Sequence, residues 1–224
     1  MDNRSLWVRW TAANGLGELL GLGSTFALTA LVFTRMDFGA GPAAILFGFA
    51  LAVASGALEA ALVGAAQWWA MAPWFPRLSL KEWWLGTFAG ALAAYMLGYL
   101  PSTLMDFAAA GSSEPVVEPP QALVLLLAAG LGAVAGAVLS FAQWLVLRKQ
   151  VRGAGIWIPA NMLAWAAGMP LIFWGMDLFF REQPLWQALR LLAGVLLAAG
   201  LVVGAVHGAF LSRLVARPTF AHSP

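Results

Sequence analysis

The chain has 224 residues, 62% of them apolar and only 10% charged, with twelve Lys/Arg against ten Asp/Glu. A soluble domain carries roughly 25% charged residues, so the composition excludes an ordinary water-facing globule, and a net charge of +2 spread along the chain excludes the dense basic face of a nucleic-acid-binding protein. The absence of cysteine excludes disulfides, cysteine-ligated metal centres and a thiol nucleophile.

A helix needs about 20 apolar residues to cross a bilayer, and six stretches qualify: 11–34, 42–72, 83–105, 121–147, 157–180 and 185–212. Met1-Asp2-Asn3-Arg4-Ser5 runs into Trp7 and Trp10 with no small-residue cleavage site, so the first stretch is expected to be an uncleaved anchor. The second stretch is the longest and is expected to tilt or protrude. It opens at Pro42, where a first-turn proline is tolerated, and Pro73 and Pro76 end it. After the third comes the longest connection, 106–121, rich in Pro, Ser and Glu, which reads as a solvated loop. Pro170 lies inside the fifth stretch and is expected to kink it. Pro184 precedes the sixth and Pro218 follows it.

Basic residues set the orientation. Arg4, Arg9, Arg77, Lys81, Arg148, Lys149, Arg152, Arg213 and Arg217 flank one set of helix ends, leaving Arg35, Arg181 and Arg190 on the other side with Asp37, Asp106, Glu114, Glu118, Asp177 and Glu182. The positive-inside rule then puts the first side, and both termini, in the cytoplasm, as in a bacterial inner-membrane protein. Trp7, Trp10, Trp68, Trp69, Trp74, Trp83, Trp84, Trp144 and Trp157 also fall near that boundary, and are expected to form an interfacial belt.

The chain also repeats itself. Odd helices share Trp, a polar residue at +4, and small residues at +7 and +11: Trp10, Asn14, Gly17, Gly21; Trp83, Thr87, Gly90, Ala94; Trp157, Asn161, Ala164, Gly168. Even helices share small, small at +4, and polar at +7: Ala60, Gly64, Gln67; Gly136, Ser140, Gln143; Gly200, Gly204, His207. The expected fold is therefore all-α, a polytopic membrane helical bundle of about six helices built from three hairpin repeats at approximately 7–76, 77–152 and 153–217. Small residues at spacing four form ladders, Gly48-Ala52-Gly56-Ala60-Gly64, Gly86-Gly90-Ala94-Gly98 and Ala128-Gly132-Gly136-Ser140, which let helices approach closely in lipid. The polar residues fall at one level, and amides there can bond across helices for ~0.6–2 kcal/mol each.

The repeats disagree at two carboxylates. Glu18 corresponds to Ala91 and Trp165, and Glu59 to Ala135 and Ala199. An ionisable residue two to three turns into a membrane helix costs several kcal/mol unless it is protonated or paired, and marks a candidate site. No Lys or Arg lies at that depth, so Glu18 and Glu59 are expected to share a proton or to bond to Asn14 and the inner amides. The candidate ligand-binding or proton-linked set is Glu18, Glu59, Asn14, Asn161, Gln67, Gln143 and His207. His207 is a weak candidate for a porphyrin-type metal ligand, and His222 lies in the tail.

Phosphate loops, HExxH and nucleophile elbows are absent from the sequence. A Ser140–His207 pair is the sole hydrolase arrangement open, so no enzymatic activity and no catalytic or metal residues are expected. Gln143-Trp144-Leu145-Val146-Leu147-Arg148, with shorter counterparts at Gln67-Trp68 and His207-Gly208, resembles bacterial multi-pass membrane proteins with repeated Gly-rich QWLVLR-type hairpins; the resemblance implies a membrane bundle and no particular activity. Three functions stay open. The first is an accessory or packing subunit of a larger membrane complex, with lipid and other membrane subunits as partners. The second is a small-solute or proton-coupled permease, or its substrate-binding component, using Glu18 and Glu59. The third is a subunit that holds a lipophilic pigment or cofactor, such as a carotenoid or chlorin.

Overall fold

Inside hydrocarbon a backbone must satisfy its own hydrogen bonds, and a single segment can do so only as a helix. The computed structural model of the chain is accordingly all-helical, and it describes residues 2–35, 41–110, 119–181 and 183–216. Asp37, Glu114, Glu118, Glu182, Arg217, Pro218 and His222 lie outside the described residues. The elements are α1 (Asn3–Arg35), α2 (Pro42–Met71), α3 (Leu80–Ala109), α4 (Gln121–Leu147), a 3₁₀ turn (Ala154–Ile156), α5 (Trp157–Phe179) and α6 (Leu185–Val215). All six α-helices are long and apolar enough to cross a membrane.

Local chemistry explains most of the boundaries. The carboxylate of Asp2 accepts the Ser5 N–H at 2.6 Å, a cap that starts α1 two turns before the expected position, and the fully buried Leu6 and Trp10 dock that extra length. Pro42 opens α2, which ends at Met71 before Pro73. Ser79 caps α3 by accepting from the Glu82 N–H. Gly153 takes a left-handed φ of 76° to turn the chain into the 3₁₀ turn ahead of α5. Pro101 and Pro170 each remove one backbone donor, yet α3 and α5 continue through them.

Each helix packs against its neighbours in the chain, and α6 packs back on α1, closing a ring of six. Glycine makes every contact in the ring tight. A Cβ added at Gly21 (α1–α2), Gly56 (α2–α3), Gly90 (α3–α4), Gly132 or Gly136 (α4–α5), Gly168 or Gly175 (α5–α6), or Gly200 (α6–α1) would fall within 3 Å of the facing helix. In lipid such close approach is the main source of helix association. The small-residue ladders are therefore packed in their middles. Gly48 and Gly98 do not belong to the contact, because a Cβ at either would touch nothing within 4 Å. Leucine, phenylalanine and methionine side chains cover the outer face, Leu126, Leu127, Leu163, Phe141 and Met105 among them.

One end of the ring carries the starts of α1, α3 and α5 and is closed by a tryptophan plug. Trp10, Trp83 and Trp157 come from alternate helices and meet across the interior edge to face, with ring centroids 6.3, 5.7 and 6.3 Å apart. Leu6, Met71, Phe75, Leu78, Leu147, Leu211 and Leu214 pack around them. This corrects the belt expectation for three residues: Trp10, Trp83 and Trp157 are fully buried, so they fill the centre rather than face lipid headgroups. Trp7 and Trp69 remain at the surface. Trp69 lies under the Arg9 guanidinium at 4.4 Å, and Trp144 under that of Arg148 at 4.9 Å.

Candidate functional site

One turn inward from the plug lies the polar layer. Asn14 (α1), Thr87 (α3) and Asn161 (α5) each stand four residues after a plug tryptophan, which places them about 6 Å deeper along the ring. Gln67 (α2), Gln143 (α4) and His207 (α6) complete the layer, and all six are buried. A hydrogen-bond chain joins part of the layer. The Trp157 indole donates to Gln143 Oε1 at 2.9 Å, and Gln143 Nε2 donates to Thr87 Oγ1 at 3.0 Å and to Gln67 Oε1 at 3.2 Å. Gln67 Nε2 donates in turn to Asn14 Oδ1 at 2.9 Å, and Asn14 Nδ2 returns to the Trp10 carbonyl.

Apart from the Trp157 indole, the third hairpin is left out of this chain. Asn161 Nδ2 donates to the Trp157 carbonyl at 2.8 Å, but its Oδ1 has no partner, nor have either His207 nitrogen or the Trp10 and Trp83 indole N–H groups. His207 packs between Trp157, 5.2 Å away, and Trp10, 6.4 Å away. Ser140 Oγ donates to the Gly136 carbonyl on its own helix at 2.6 Å, so the Ser140–His207 arrangement weighed from the sequence does not form.

A further turn inward, Glu18 and Glu59 meet. The two carboxyls are immediate neighbours, and Glu59 accepts from the Tyr95 hydroxyl. Two adjacent buried carboxyls avoid facing like charges by holding at least one proton between them, and two protons make the pair neutral. Glu18 is 2% exposed and Glu59 8%; Glu18 Oε2 is buried without a partner. The site is held by backbone proximity. Gly21 faces the Glu59 backbone, Gly200 faces Glu18, and Gly56 lies flat against the Tyr95 ring. The expected bond from Glu18 to Asn14 is absent among the described residues, because Asn14 is committed to Trp10 and Gln67.

Beyond the carboxyl pair the interior opens into a cavity of about 330 Å³, large enough for a small organic ligand. Glu59, Tyr95 and Tyr99 form its polar head. Leu22 and Phe26 of α1, Leu131 and Leu139 of α4, and Met169, Ile172, Phe173 and Met176 of α5 line the body. Ala91 and Ala135, at the positions that the sequence pattern aligns with Glu18 and Glu59, line the cavity, as does Trp165 of α5. The Trp165 indole N–H is buried without a partner.

Sequence reasoning missed Tyr95, Tyr99 and Trp165. A signal for the tyrosines was present: they are the chain's only two, four residues apart and hence on one face of α3. Among the described residues no group of three His, Asp or Glu side chains is placed to hold a metal ion. Comparison with protein-family models, curated proteins and solved structures finds no match to this chain.

Proposed function

We propose that the chain is a proton-linked membrane carrier that binds a small, mainly apolar solute in the cavity of its helix ring. One juxtaposition carries the reading: Glu59 lines the cavity and the buried Glu18 stands beside it, a pair of carboxyls suited to hold an exchangeable proton between them. Ionisable residues inside a membrane bundle are costly and by default mark a functional site, and a cavity lined by one member of the pair supplies a task for it. Solute entry then changes the field around the pair and with it the number of protons held there.

The further elements of the proposal fit the same frame. The positive-inside rule favours a cytoplasmic tryptophan end in a bacterial inner membrane, an orientation in which the cavity lies toward the opposite face. Three copies of one hairpin, of the QWLVLR type, make the scaffold, and the first copy has been specialised by its two carboxylates. The reading as an accessory subunit has less support, because the ring closes on itself and covers its own polar interior. Purified protein reconstituted into proteoliposomes that enclose a pH-sensitive dye tests the proposal against panels of apolar amines, neutral amides and carboxylates. At least one class is expected to drive proton movement, lost in Glu59→Gln. Proton movement that is unchanged in Glu59→Gln, or absent with every class, overturns it.

A further inference from the structure

The cavity's chemistry narrows what it can bind. Its body is apolar, and no Lys, Arg or His is among the residues lining it. Its sole ionisable carboxyl is Glu59, at one end. A carboxylate solute would meet Glu59 with no cation to neutralise it, and like charges in a low-dielectric interior repel strongly. A purely hydrocarbon solute would fill the body but leave the acceptor oxygens at the head with nothing new to bond.

Aromatic side chains decide between the remaining classes. Phe26, Tyr95, Tyr99, Trp165 and Phe173 come from three helices and all line the same cavity. Aromatic faces gathered with a carboxylate favour a cation through the ring quadrupole, the more so where water is excluded. Tyr95 donates to Glu59 and so steadies it as an acceptor. One more buried acceptor lacks a partner, Glu18 Oε2, on the residue beside Glu59.

Resting on the carrier reading above, we infer that the cavity binds a lipophilic monocation, an organic ammonium with an apolar body, whose positive head replaces one proton of the Glu18–Glu59 pair. The exchange balances. A neutral pair holding two protons gives one to water as the cation enters, leaving a singly protonated pair whose negative charge the ammonium cancels. No bond other than O–H is broken, and the net charge of the interior is unchanged. The titratable groups that face Glu59 are Glu18 from α1 and Tyr95 and Tyr99 from α3. The cavity walls from α4 and α5 contribute none, and α6 meets Glu18 through Gly200.

The test uses two ligands of the same shape, phenethyltrimethylammonium and its uncharged carbon counterpart 3,3-dimethylbutylbenzene, titrated into the full chain in mild detergent. In alkaline buffer the cation is expected to bind at least about tenfold more tightly than its isostere, a difference of ~1.4 kcal/mol. Lowering the pH is expected to weaken the cation by about tenfold per unit once protons compete for the pair, and to leave the isostere unaffected. Glu59→Gln is expected to abolish the preference while keeping the isostere's affinity, which also reports that the variant is folded. Glu59→Asp, which keeps the charge, is expected to retain the preference and supplies the second check. Equal affinity of the two ligands for the wild-type chain, or a preference that survives in Glu59→Gln, overturns the monocation and leaves the cavity as a binding site. Failure of both ligands to bind the wild-type chain overturns the monocation and the cavity's role in the carrier together.

Discussion

His207→Gln should make the protein more stable, although it replaces a fully buried core residue. In the second hairpin Gln143 accepts from the Trp157 indole and donates to Thr87. For His207 the groups at the corresponding positions of the sequence pattern are the Trp10 indole and Asn161 Oδ1, both buried and without partners. A glutamine at 207 following the same scheme would pair both. Relieving a buried unpaired group is worth about 1–3 kcal/mol, so the gross gain is roughly 2–6 kcal/mol. Against it stand up to ~2 kcal/mol for ordering a glutamine side chain and about 1 kcal/mol for the lost ring contacts with Trp10 and Trp157. Taken from the middle of that range, ~4 kcal/mol, the expected net gain is about 1 kcal/mol. His207→Ala leaves the same atoms unpaired and adds a void, and should cost about 2 kcal/mol. Reversible unfolding in mixed detergent micelles, with wild type and both variants side by side, measures the difference. If His207→Gln destabilises as much as His207→Ala, the reasoning from the second hairpin to the third is wrong.

Gly200→Ala should destabilise the ring by about 1–3 kcal/mol, because its Cβ would come 2.7 Å from the Asn14 carbonyl and 2.8 Å from Glu18; Gly98→Ala, with nothing within 4 Å, should stay within about 0.5 kcal/mol, and the same unfolding assay separates them. Ala135→Phe introduces a large ring into the cavity wall opposite the carboxyl pair. Titration of this variant should show binding of both the ammonium and its isostere lost, with unfolding stability held or raised.

Much of the architecture was legible because lipid leaves few options. Span lengths, the prolines at 42 and 73, and glycines at spacing four fix where helices lie and which faces approach, and Gly56, Gly90, Gly132 and Gly136 do sit at contacts. Glu18 and Glu59 were legible as exceptions among small residues, and their meeting follows from α1 and α2 running antiparallel with Asn14 opposite Gln67. The placement of Trp10, Trp83 and Trp157 was not legible from their nearness to helix ends, since an indole is as stable packed against other indoles on the axis as at a headgroup boundary. Their spacing of four from Asn14, Thr87 and Asn161 put them on the polar, inward face, which was the better guide. The cavity was illegible for a different reason. It arises from volume that Ala91 and Ala135 fail to fill, and unfilled volume becomes visible only when the ring has closed.

Counting protons tests the central claim, that the Glu18–Glu59 pair gives up a proton when the cavity is occupied. Purified protein in weakly buffered detergent, with a pH-indicator dye, is titrated with phenethyltrimethylammonium, and the protons released per ligand bound are read directly. The account predicts a pH range in which wild type releases close to one proton per ligand and Glu59→Gln releases none. Saturable binding with no proton release at any pH would contradict it.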